Sequence, residues 1–150
     1  MQVAAKAPPI KDFYATLRGV DGMAVLAEIK RASPSKAWIN PEIKAEAQGR
    51  VYAKAGAAAI SVLCEPHWFK GSLEDLAAVR AAVEELGDDR PALLRKDFLL
   101  DEYQLWEARL HGADTVLLIV AILNDAQLTS LITASRSLCA FPPPCSPPAP

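Results

Sequence analysis

The feature that most constrains the fold is an alternation. Short apolar runs at residues 25–29, 57–63, 91–94 and 115–120 are each followed by a stretch with helical periodicity. The runs AAAISVL (57–63) and TVLLIV (115–120) are apolar almost throughout, as in parallel strands covered on both faces. The repeat of roughly 20–35 residues is too long for hairpins and implies four βα units, with parallel strands joined by right-handed crossovers. The fold class expected is therefore α/β.

The helices have readable ends. Pro41 suits the first turn of a helix over 41–55, with Gly56 past its end. Leu73, Leu76, Ala77, Val79, Val83 and Leu86 give a helix over 73–86, opened by a capping-box-like Ser72-Leu73-Glu74-Asp75 and closed by Gly87. On it, Arg80 and Glu84 read as a solvated pair. Further helices are expected over 101–110, ended by Gly112, and over 124–138, capped by Asn124.

Composition narrows the class. A chain of 150 residues with 51% hydrophobic content fits one folded domain. Its net charge of -2 gives no general attraction to nucleic acid or an anionic membrane. No apolar run reaches membrane-spanning length, and the start MQVAAKAPPIKDF lacks a signal-peptide core, so the expectation is a cytoplasmic protein with no membrane partner. Cys64, Cys139 and Cys145 lack metal-ligand spacing and read as reduced thiols. The pattern ends at residue 138. Residues 139–150, CAFPPPCSPPAP, hold half of the 12 prolines and read as a disordered or polyproline tail, with a ligand for a proline-binding module as a second reading.

In βα repeats, chemistry gathers where strands end and loops leave the sheet. The first strand runs into EIKRASPS, and Glu28 and Lys30, two residues apart, face the same side. A second lysine, Lys96, ends the third run in LLRKDF. An acid fixed beside ammonium groups suits an anionic substrate with a reacting carbonyl; a desolvated lysine would instead suit a Schiff base. Phe69 and Phe98 follow strands where polar residues are the norm, and either line an aromatic pocket or pack over the sheet. Ser72 reads as a helix cap, and His67 and His111 as surface residues. No Gly-rich phosphate loop, nucleophile elbow or metal motif is present in the sequence.

AEIKRASPSK (27–36), AGAAAISVLCEPHWFKGSLEDLAAVR (55–80), LLRKDFLLDEYQLWEAR (93–109) and GADTVLLIVAIL (112–123) together resemble the indole-3-glycerol phosphate synthase family, in wording the synthase domain of fungal multifunctional tryptophan-biosynthesis proteins. The resemblance implies a (β/α)8 TIM barrel with an N-terminal helical extension. It implies decarboxylating ring closure of carboxyphenylamino-deoxyribulose phosphate, a phosphosugar bearing an anthranilate ring, with neither metal nor organic cofactor. Lys96 matches the general acid on the ketose oxygen, Glu28 the acid that orients the reacting groups, and Lys30 the lysine that contacts substrate and phosphate. Ser33 and Pro34 match the loop bordering the pocket. Phe69, Phe98 and Leu117 match residues packed on the aromatic ring.

Two departures shape the expectations. Ala37 stands where the family usually has Gly, so a turn requiring φ > 0 there would be strained. The match stops at residue 138, after four βα units, whereas a closed barrel needs eight and about 250 residues. Residues 1–138 thus read as an N-terminal half barrel, inactive alone, whose open edges favour self-association or a complementary half barrel. The change at Cys139 reads as a frameshift, an unspliced intron or an alternative terminus. The competing readings are a non-catalytic fragment or assembly module, and another phosphosugar barrel with Lys96 as Schiff-base lysine.

Overall fold

A computed structural model describes residues 6–139; the proline-rich segment read as a tail lies almost wholly outside the described residues. Asp12 caps a short helix α1 (Phe13–Arg18), accepting the Ala15 N–H at 2.9 Å. Strand β1 (Leu26–Ile29) follows, then a small antiparallel hairpin, β2 (Ala32–Ser33) and β3 (Ala37–Trp38). The remaining order is α2 (Ala45–Lys54), β4 (Ala59–Leu63), α3 (Leu73–Val83), β5 (Ala92–Lys96), α4 (Tyr103–Leu110), β6 (Thr115–Val116) and α5 (Asp125–Cys139). Among the described residues the sheet order is β1-β4-β5-β6, all parallel, which is the arrangement the alternation required.

The two faces of the sheet differ. Ile29, Ile60, Val62 and Leu93 point to the helices and pack with Leu76, Val79 and Val83 of α3 and Ala108 of α4. Removing each of these isoleucine, leucine and valine side chains from water contributes on the order of 1.5–3 kcal/mol. Gly49 lets α2 approach α3 closely, since a Cβ there would lie 2.9 Å from Val79 Cγ1. A second cluster, Leu99, Leu105 and Leu131 with Leu118, seats α5 against α4. By alternation and register, the other face carries Leu26, Glu28, Ser61, Leu63, Leu94 and Lys96.

At the end of the sheet where the strands begin, Asp114 is fully buried and accepts four hydrogen bonds. Arg90 donates two, at 2.6 and 2.7 Å; the Leu93 and Lys11 amides donate the others, at 2.8 and 2.7 Å. Arg90 also reaches the Pro9 carbonyl at 3.2 Å, and Arg109 the Pro8 carbonyl at 2.6 Å. The segment before α1 is thereby strapped under the sheet.

Several boundaries depart from the sequence reading. Helix α2 begins at Ala45, and Pro41 sits in the turn before it, because proline's fixed φ serves a turn as well as a first helical position. Helix α3 stops at Val83; a 3-10 stretch, Glu84–Asp89, follows, with Gly87 at φ 54 and Leu86 largely exposed. The third strand runs on to Lys96, and the fourth is only Thr115–Val116. β6 is paired on one side alone, and beyond it the chain turns through a 3-10 segment, Val120–Ile122. Arg80 is not solvated: its side chain is 7% exposed and its stem lies against Gly112, where a Cβ would be 2.4 Å from Arg80 Cγ. Its partner Glu84 is at the surface, as read. Ser72 and Asn124 do cap their helices, accepting the Asp75 and Gln127 amides at 3.1 and 2.9 Å.

Candidate active site

The opposite end of the sheet, where the strands finish, gathers the charged candidates. Lys30 Nζ lies 2.6 Å from Glu28 Oε1, and Lys96 Nζ donates to Glu28 Oε2, so one carboxylate bridges two ammonium groups. Lys96 comes from β5 and Glu28 from β1, with β4 between them, a span of about 10 Å between strands. The residue below that span is Ser61, in register with both Glu28 and Leu94, and its small side chain leaves room for the bridge. Burial pushes the Glu28 carboxyl up, but hydrogen bonds and charge from Lys30 and Lys96 outweigh this and hold it below the usual carboxylate range. Each ammonium has three donors, so the pairing leaves donors directed at anything bound above the sheet. The Tyr52 hydroxyl donates to the Glu28 carbonyl at 3.2 Å, fixing the strand tip from α2.

The aromatic candidates also converge. The Phe69 and Phe98 rings lie 6.5 Å apart, tilted by 50°. Phe69 is carried by the loop after β4, Phe98 by the loop after β5, and each loop is pinned by an acid. Glu65 accepts the amides of His67, Trp68 and Phe69, at 2.8, 2.6 and 3.1 Å; Asp97 accepts that of Phe98 at 2.9 Å. Arg31 grips the same region, pairing with Asp75 at 2.7 Å and donating to the Lys70 carbonyl at 3.1 Å. Leu117 follows β6, its amide donating to the Arg95 carbonyl at 3.2 Å, and strand alternation sets it on the Lys96 face.

Ser33 and Pro34 lie on the hairpin that leaves β1, with Ser33 Oγ 3.3 Å from Ser35 Oγ; no hydrogen bond joins them to the charged triad among the described residues. Ala37 has φ 49, so the strain read from the sequence is present. His67 is exposed and meets Trp68 edge-on at 4.6 Å, whereas His111 is half-buried with Nδ1 2.8 Å from the Glu107 carbonyl. Burial pushes the Cys64 thiol up to about 12, which leaves it an inert apolar side chain at neutral pH.

Sequence reasoning set Glu65 and Asp97 at strand ends without giving them a role, and passed over Arg95. Arg95 is buried beneath α4, where it binds Asp97 at 2.8 Å and Glu107 at 2.9 Å and reaches the Gln104 carbonyl at 2.8 Å. An arginine that follows two leucines within a strand was the available signal, since such a charge, once buried, demands carboxylates nearby.

A family model described as indole-3-glycerol phosphate synthase matches residues 1–140. The chain belongs to the indole-3-glycerol phosphate synthase family. It is 55% identical over 132 residues to a multifunctional tryptophan biosynthesis protein of Schizosaccharomyces pombe, covering 88% of this chain and 17% of that protein. It is 52% identical over 135 residues to indole-3-glycerol phosphate synthase 1 of Streptomyces coelicolor, covering 90% of this chain and 48% of that protein. With the Paenarthrobacter aurescens indole-3-glycerol phosphate synthase the figures are 49% over 139 residues, 90% and 49%. The chain thus spans about half the length of these two bacterial relatives and a smaller share of the fungal one. The family fold is a (β/α)8 barrel, of which the four parallel strands form a part. Among the described residues, no helix is long and apolar enough to cross a membrane.

Proposed function

We propose that residues 1–138 form one half of an indole-3-glycerol phosphate synthase barrel and carry one wall of its active site. The reaction joins the ring carbon bearing the carboxylate of carboxyphenylamino-deoxyribulose phosphate to the ketose carbon, and releases CO2 and water. As the new bond forms, negative charge develops on the ketose oxygen, and Lys96 protonates that oxygen as general acid. Glu28 holds Lys96 and Lys30 in one arrangement, and Lys30 contacts the substrate and its phosphate. Phe69, Phe98 and Leu117 form the apolar slot for the anthranilate ring, with Ser33 and Pro34 bordering it.

The observation that carries this reading is the Glu28 carboxylate bridging Lys30 and Lys96 across three strands, at the end of the sheet where the two phenylalanine rings meet. The paired phenylalanines favour an aromatic substrate over other phosphosugars.

The test is turnover, followed by formation of indole-3-glycerol phosphate. The 150-residue polypeptide alone is expected to give none, because four βα units make one wall of the site and a closed barrel needs eight. Mixed with a C-terminal half barrel from a relative, it is expected to become active. That activity should fall by about 10²–10⁴-fold in Lys96→Ala. Activity in the mixture that survives Lys96→Ala would refute the assignment, and trapping of Lys96 by borohydride with substrate would favour a Schiff-base enzyme.

We further propose self-association through the strand edges. β1 and β6 each have one edge without a ladder partner among the described residues, and Leu26 beside one edge is 47% exposed. Size-exclusion chromatography of the chain should show species larger than a monomer, and a monomer across micromolar concentrations would refute this.

A further inference from the structure

We propose that Glu65 is a positioning residue for the aromatic slot, closing the loop between β4 and α3 into a ring that holds Phe69 opposite Phe98. The inference rests on the slot assigned above.

One residue supplies an unusual share of this loop's hydrogen bonds. The Glu65 carboxylate takes the amides of His67, Trp68 and Phe69, and the Glu65 carbonyl takes the Gly71 amide at 3.1 Å. Three successive N–H groups converging on one carboxylate form a charge-assisted cap, stronger than the bonds water would offer in its place. The far end of the ring is equally constrained. Lys70 has φ 57, and a Cβ at Gly71 would lie 1.8 Å from the Leu63 carbonyl oxygen, so the loop closes against the end of β4. The hairpin after β1 adds a last contact, the Ala32 amide donating to the Phe69 carbonyl at 3.3 Å. Phe69 is thus bound at its N–H and its C=O, which fixes the direction in which its side chain leaves the backbone.

No hydrogen bond joins Glu65 to the Glu28, Lys30 and Lys96 group among the described residues, and the carboxylate is spent on the loop. Removing it leaves three amides to the weaker bonds of water and Phe69 free to sample other rotamers. Ordering one such side chain at binding costs enough to weaken affinity about tenfold.

The test uses the full chain, with 2-aminobenzoate as the probe of the slot. In the unaltered chain, NMR should show a Phe69–Phe98 ring contact and slow hydrogen exchange at the amides of 67, 68 and 69. Glu65→Ala should lose the ring contact, raise exchange at those amides at least about tenfold and weaken 2-aminobenzoate about tenfold, with β4 amides still protected. Glu65→Gln, which keeps an acceptor oxygen, should retain part of each signal.

Ring contact and exchange unchanged in Glu65→Ala would overturn the proposal. So would loss of β4 protection along with the loop, which would make Glu65 a residue of the whole fold. If the ring contact depends on Glu65 but the unaltered chain does not bind 2-aminobenzoate, the positioning role stands and the assignment of the slot falls.

Discussion

Each end of the sheet is organised around one carboxylate that joins distant segments, yet the two are built in opposite ways. Asp114, at the strand starts, is wholly buried, holds Arg90 with two bonds and has both oxygens filled by four donors. Glu28, at the strand ends, is 28% exposed and lies between two lysines that are 31% and 38% exposed. The first arrangement uses planar guanidinium geometry and backbone amides, leaving nothing free to bind anything else. The second uses compact ammonium groups whose remaining donors face the open side of the sheet. Burial with full satisfaction makes a clamp, whereas partial exposure with spare donors makes a site.

The contrast can be broken most severely at the buried end. Asp114→Ala should cost about 3–5 kcal/mol, read from chemical denaturation, because Arg90 would stay buried without a partner. A loss below about 1 kcal/mol would mean that the strap under the sheet does not depend on this pair. Replacing both residues, Arg90→Met with Asp114→Leu, should cost less than the single change, since no charge is then left stranded.

At the open end, Glu28→Gln should change stability by no more than about 1 kcal/mol. It should nevertheless lower turnover of the complemented barrel by at least about 10², measured as kcat, because both lysines lose their shared anchor. Equal effects on stability and turnover would erase the distinction between clamp and site.

Acid acts on the open end next. The Glu28 carboxyl lies lower in the folded than in the unfolded chain, so its contribution to stability is present above the unfolded value, near pH 4, and is lost as pH falls through the folded value. Glu28→Gln should flatten that part of the stability-against-pH curve, and an unchanged curve would contradict the pairing.

The smallest effect belongs to the hairpin bordering the site. Ala37→Gly should raise stability by about 0.5–1 kcal/mol, by relieving a positive φ that alanine disfavours. A loss in denaturation midpoint would show that glycine's extra freedom in the unfolded chain outweighs the relief.

Much of this was legible in the sequence. Four short apolar runs spaced by helical patterns, two of them apolar almost throughout, dictate a parallel sheet, because no hairpin fits the connections. The same-side placement of Glu28 and Lys30 follows from strand alternation alone, and the caps at Ser72 and Asn124 follow from short oxygen-bearing side chains beside apolar periodicity. The family motifs added a reason to set Lys96 beside them.

The rest depended on contacts between segments far apart in the chain. Arg80 reads as solvated because its helical neighbour Glu84 is, but Gly112 brings another loop down onto its stem. β6 is shorter than its apolar run for a related reason: apolar content marks a segment as coverable, while hydrogen bonding to a neighbour decides how much of it becomes strand. Local periodicity therefore determined the elements and the side each residue faces. Tertiary packing alone decided that Lys96 meets Glu28 over a small Ser61, that Phe69 meets Phe98, and which charges are sealed from water, because those outcomes depend on what arrives from elsewhere in the chain.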